Sequence, residues 1–202
     1  MNTIEFIPAE FHKVDINYNR EQNDCSPCFD DRPNDINVIR INVPEKIILR
    51  EYDIRKERPV FPVCIFSTVS YLRTLKYGES GRLELYVLNM EDDHEKNVLS
   101  GPVYNADKFP DEFLPPPFQN EIDKRRKQKV AEALKLTDEE LDDSEYYPEF
   151  LNINLSEYID FPFEPGRYEV WMSYYGLESD RKPVEIIVGD LIQGSQKRMT
   201  EK

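Results

Sequence analysis

From Ile36 onward, apolar and polar positions alternate with a period of two over much of the chain. Ile39, Ile41 and Val43 alternate with Arg40 and Asn42, the pattern of a strand buried on one face. Pro44 ends it, and Ile47, Ile48 and Leu49 form a second short piece within Lys46–Arg50. Val60–Leu72 is apolar on both alternating sides, with Val63, Ile65 and Val69 on one and Cys64, Phe66 and Thr68 on the other. That pattern predicts a strand covered on both faces. Arg82–Asn89 places Leu83, Leu85 and Val87 opposite Arg82, Glu84 and Tyr86, and Val98–Tyr104 reads as a short edge strand. The period returns in Leu151/Ile153/Leu155, in Tyr168/Val170/Met172/Tyr174 and in Val184/Ile186/Val188.

Two segments break the pattern. Met1–Asn34 reads as an arm, in which Phe11, Val14 and Ile16 predict an added edge strand and Tyr18–Asn34 a loop. Pro110 and Pro115–Pro117 remove backbone donors and forbid a central strand. The spacing then predicts a helix over Asn120–Leu136, capped by Asn120, with Ile122, Val130 and Leu134 on one thin apolar face. Thr137-Asp138-Glu139-Glu140 has the spacing of a capping box and predicts a further short helix. The expected organisation is an arm at 1–35, a β-domain at 36–189 with a helical, Pro-rich insertion at about 105–147, and a loose tail at 190–202. Some seven strands with short turns predict a mainly β, antiparallel sandwich.

Phe161-Pro162-Phe163-Glu164-Pro165-Gly166-Arg167-Tyr168 resembles the entry to the penultimate strand of immunoglobulin-like and macroglobulin-like sandwiches. There a Pro-Gly turn is followed, after one residue, by a Tyr whose ring plugs the core edge while its hydroxyl bonds nearby backbone. Gly166 is expected to permit the turn. The resemblance covers about the last 40 residues well and the Ile36–Asn89 strands loosely. It implies an immunoglobulin-like β-sandwich. It does not imply an antibody-type domain, because the Cys-Trp-Cys pattern is missing, and it is nearly silent on function.

Composition narrows the function classes. The 202 residues carry 40 acidic and 26 basic side chains, a net charge of −14. Such an excess repels phosphate backbones and anionic membranes, so neither nucleic acid nor membrane is expected as a partner. One stretch runs the other way. Lys124, Arg125, Arg126, Lys127, Lys129 and Lys135 fall within Asn120–Lys135, the expected solvated face of the helix. No apolar run is long enough to span a bilayer, and the first residues lack a basic patch followed by an apolar stretch, so a cytoplasmic protein is expected.

Three cysteines, an odd number, predict no disulfide framework. Cys25 and Cys28 have C-x-x-C spacing, but their acidic, turn-rich flanks predict an incidental pair rather than a redox or metal site. Cys64 sits in an apolar strand and is expected to be an inert core thiol. His12, in the arm, and His94, in a charged turn, are the two histidines. No nucleophile-elbow, phosphate-loop, zinc-protease or dinucleotide motif occurs, and no catalytic residue, cofactor or metal is assigned.

What remains lies on the surface. Trp171 should point away from Tyr168 and Val170, with Tyr86 as its same-face neighbour. The pair forms an aromatic anchor for a partner if the outer sheet face is open, and a second core layer if the insertion covers it; the second is favoured. Asp138, Glu139, Asp142 and Asp143 offer an acidic patch to a basic partner. The expected function is a non-enzymatic, acidic protein-binding domain, with an immunity-type inhibitor of a toxin or enzyme as its concrete form. A structural or assembly component, and an enzyme of unrecognised type, are the alternatives.

Overall fold

The computed structural model describes residues 4–16, 22, 24–27, 37–49, 59–78, 82–91, 98–103, 116–143 and 146–189. The fold is mainly β and is built from two sheets. In chain order the strands are β1 (Glu5–Ile7), β2 (Val38–Asn42), β3 (Lys46–Leu49), β4 (Pro62–Ser70), β5 (Glu84–Asn89), β6 (Val98–Pro102), β7 (Tyr146–Asn154), β8 (Gly166–Tyr174), β9 (Leu177–Glu178) and β10 (Lys182–Val188). The larger sheet, sheet A, runs β1-β3-β10-β8-β5-β6, with β9 paired to β8. The smaller, sheet B, runs β2-β4-β7. The pairs are antiparallel except β3–β10, which is parallel.

The chain changes sheet between β2 and β3, where Pro44 has no N–H to continue the β2 ladder. The period-two pattern decides which side chains meet. Ile39, Ile41, Val63, Ile65 and Ile153 from sheet B face Ile47, Leu49, Leu85, Val87, Val170, Met172, Val184 and Ile186 from sheet A in one core. β4 is buried on both sides, as its continuous apolar run predicts: Phe66 and Thr68 on its outer face are 2% and 1% exposed.

Several expectations are corrected. Phe11 lies in a 3-10 turn at Ala9–Lys13, not in an added strand; the arm's strand is Glu5–Ile7, paired to β3. The strand expected over Val60–Leu72 stops at Ser70, whose hydroxyl accepts the Arg73 N–H (3.3 Å) and caps helix α1, Tyr71–Tyr77. Gly78, at φ 47°, ends α1. The insertion helix α2 spans Pro116–Ala133 and so starts before Asn120, with Pro116 and Pro117 in its first turn, where a missing N–H costs nothing. Leu134 is exposed, while Ala133 is the fully buried residue at that end. α2 packs on α1, and Lys129 lies over the Tyr71 ring (5.3 Å). The capping box at Thr137 does form. Thr137 N–H donates to Glu140 Oε2 (2.7 Å), Glu140 N–H donates to Thr137 Oγ1 (3.3 Å), and a 3-10 turn follows over Glu140–Asp143.

The cysteines give the largest correction. Cys25 is bonded to Cys64 in a disulfide that spans 39 residues of sequence. Parity and spacing hide this pair, because it joins the arm to a central strand. Cys28, His94 and the tail at 190–202 lie outside the described residues.

Candidate functional site

The two outer sheet faces differ. On sheet B, register sets Asn42 beside Cys64 and Asn152, and Arg40 beside Phe66 and Phe150. Cys64, Phe66 and Asn152 are all buried. The 3-10 turn at Glu140–Asp143 packs against β4 with Leu141 fully buried, and the arm is bonded to the sheet at Cys25. Arm and insertion therefore cover the central strand of sheet B, while Arg40, Asn42 and Phe150 beside it are half-buried and Pro148 is exposed.

The outer face of sheet A is more open. Ile7 is 40% and Val98 36% exposed, and Arg167 and Pro183 are exposed between them. The face is rich in carboxylates: Glu5, Glu84, Glu169, Glu178 and Glu185 stand against Lys46, Arg167 and Arg181. Lys46 pairs with Glu185 at 2.7 Å, and this ammonium holds the Glu185 carboxyl below the usual range. Arg181 reaches Glu169 at 3.5 Å.

Register also brings Tyr86 directly opposite Trp171 on this face. The rings stack at 5.3 Å and 10°, and the Tyr86 hydroxyl meets Ser173 Oγ at 3.2 Å. Burial pushes the Tyr86 phenol up; the Ser173 hydrogen bond works against this, and Glu84 and Glu178 add to it. The Arg181 guanidinium lies 4.2 Å over the Trp171 ring, a cation–π contact. Trp171 is thus 6% exposed, roofed by a side chain that is itself 55% exposed. The sequence offered the insertion as the cover. Among the described residues Arg181, from the approach to β10, roofs the ring, and two-residue periodicity does not register a loop side chain folding back.

The acidic patch lies elsewhere and is partly engaged. Lys76 Nζ donates to Asp138 Oδ1 at 2.9 Å, and the Tyr77 hydroxyl donates to the same carboxylate at 3.3 Å. The Lys76 hydrogen bond is the main reason the Asp138 carboxyl sits below its ordinary range. The Tyr77 ring in turn packs on the two-residue β8–β9 turn, where Tyr175 (φ 48°) and Gly176 (φ 75°) both take positive φ. Arg73, buried on α1, donates to the Tyr175 carbonyl (3.4 Å). Asp138 is therefore tied through Tyr77 to the end of sheet A that carries Ser173. Glu139 is exposed, and the side chains of Asp142 and Asp143 lie outside the described residues.

Among the described residues, chemistry-bearing side chains do not converge. His12 Nε2 accepts the Phe6 N–H (3.2 Å) and serves the arm's own turn. Among the described residues no three His, Cys, Asp or Glu side chains are grouped as metal ligands would be, and no helix is long and apolar enough to cross a membrane. No family model, curated protein or solved structure matches the chain.

Proposed function

We propose that the chain is a non-enzymatic, acidic protein-binding domain that presents the outer face of sheet A to a partner with a basic surface. The single observation that carries this reading is the asymmetry between the sheets. One outer face has its central strand buried, with Arg40, Asn42 and Phe150 half-buried beside it, while the other exposes apolar side chains among carboxylates. Exposed apolar groups rimmed by charge suit a docking face. An immunity-type inhibitor of a toxin or enzyme is the concrete form, since excess negative charge speeds capture of a basic target.

The connectivity supports an immunoglobulin-like frame for this function. The order β3-β10-β8-β5-β6 lies against β2-β4-β7, and the first strand is divided between the layers at Pro44. Tyr168 adds to it, as its hydroxyl donates to the Glu164 carbonyl at 2.8 Å. An assembly component is the second reading, favoured by edge strand β6, whose Val98 and Leu99 are both exposed. Compartment decides the state of Cys25 and Cys64, because a cytoplasmic protein would hold them as thiols.

The test is affinity capture of the partner from the native host, followed by cross-linking of the purified pair. Cross-links on β5, β8 and β10 support the docking face. Cross-links confined to Glu139 and α2 place binding on the insertion instead, and a concentration-dependent self-complex joined through β6 favours assembly.

A further inference from the structure

We propose that an arginine of the partner seats on Trp171 beside Glu169, a place that this chain's own Arg181 fills until the partner arrives; this rests on the docking face of sheet A and names the group that enters it. Register explains how Arg181 comes to lie there. β9 pairs Glu178 with Ser173, and the Ser179 N–H donates to the Met172 carbonyl at 2.9 Å. β10 resumes with Lys182 opposite Val170. Two residues, Asp180 and Arg181, therefore stand against Trp171 alone. That is a β-bulge, a device that re-aims a side chain. The bulge is pinned on one side by Ser179, whose buried hydroxyl accepts the Met172 N–H at 3.0 Å, and on the other by the β10 ladder.

Backbone and side chain are held very differently. The Arg181 guanidinium lies 4.2 Å over Trp171 and 3.5 Å from Glu169, yet its side chain is 55% exposed. Exposed cation–π contacts and exposed ion pairs are individually weak. The guanidinium can therefore swing into water while the bulge stays in place. Its departure bares an indole face that is now 6% exposed and takes the cation from the Glu169 carboxylate. Tyr86, stacked on Trp171 from β5, keeps the ring upright.

The vacated seat has a definite chemistry. It joins a flat aromatic face to a carboxylate, with Glu84 and Glu178 in the next row of the sheet. A planar guanidinium stacks on the ring and reaches the carboxylate with its fork of donors, which the compact ammonium of lysine does not match. The partner's arginine thus remakes the contacts that Arg181 gives up, on rings already stacked to receive it. Until then Arg181 shields Trp171 from water and lowers the apparent affinity of the seat by the fraction of time it is open.

The experiment titrates the full chain with Nα-acetylarginine amide and reads the emission of Trp171, the sole tryptophan. Nα-acetyllysine amide at the same ionic strength is the control. Arg181→Ala should bind the arginine compound saturably and about tenfold or more tighter than wild type, because its seat is always open. The same variant should bind the lysine compound several-fold more weakly, and adding Glu169→Gln should weaken the arginine compound several-fold. Urea denaturation first shows that each variant is folded, and Arg181→Gln takes the place of the alanine variant if that one unfolds. Emission that does not saturate in the open variant, equal affinity of open variant and wild type, or an equal response to the lysine compound would each overturn the seat. Such a failure with cross-links to the captured partner still on β5, β8 and β10 leaves the docking face standing. Saturable binding with cross-links elsewhere removes the docking face, and the partner's arginine with it.

Discussion

Tyr168 shows how much a single residue carries. Its ring is buried against Phe161 at a centroid distance of 4.9 Å, and its hydroxyl bonds the Glu164 carbonyl four residues back. Tyr168→Phe removes only the hydrogen bond and should cost about 1 kcal/mol in urea denaturation. Tyr168→Ala also empties the ring's volume and should cost about 3–5 kcal/mol. Equal costs would mean that the corner hydroxyl is the whole effect. This residue was legible from its Pro-Gly approach, but the role expected of the glycine was misplaced. Positive φ falls on Phe163 at 51°, whereas a Cβ on Gly166 would find ordinary contact at 3.6 Å. Gly176 is constrained both in conformation and in space: its φ is 75°, and a Cβ would lie 2.6 Å from the Tyr77 ring. Gly176→Ala should therefore destabilise by roughly 1–3 kcal/mol and loosen α1. Wild-type stability in that variant, by the same denaturation, would contradict the packing of α1 on the β8–β9 turn.

At the scale of elements, strands were readable and their covers were not. A strand declares itself through alternation within a few residues, so β2 to β5, β7, β8 and β10 follow from the sequence. α1 has only seven residues, too few for a helical period to stand out after an apolar strand; its signals are the Ser70 cap and Gly78. The junction of α1 with the insertion is electrostatic at Lys76–Asp138. The folded Asp138 carboxyl is held below its unfolded value, so its contribution is present above the unfolded pKa and lost as pH falls through the lower folded value. Acid titration followed by hydrogen exchange should loosen this junction only below the ordinary carboxylate range of about 4. Asp138→Asn should remove the acid step and cost at most about 1 kcal/mol, as the pair is exposed. Opening of the junction at the same pH in Asp138→Asn would show that another group controls it.

The whole molecule is two sheets, one with the outer face of its central strand covered and one more open. The cover includes a covalent bond that the cysteine count concealed. Closing a loop across a separation of 39 residues stabilises by about 3–4 kcal/mol on chain-entropy grounds, so Cys25→Ser should lower the denaturation free energy by an amount of that order. The more open face was half legible: alternation put Trp171 and Tyr86 on one side, but their closure by Arg181 depends on a loop that only tertiary structure brings back. Trp171 is the sole tryptophan, so its fluorescence reports this face directly. The most direct test is stopped-flow association with the captured partner, read by Trp171 emission at two salt concentrations, for wild type and for Glu84→Lys with Glu178→Lys beside Tyr86. If the sheet A face docks a basic surface, wild-type association slows steeply with salt and the double variant associates about tenfold more slowly at low salt. An association rate unchanged by both salt and the double substitution would contradict docking on this face.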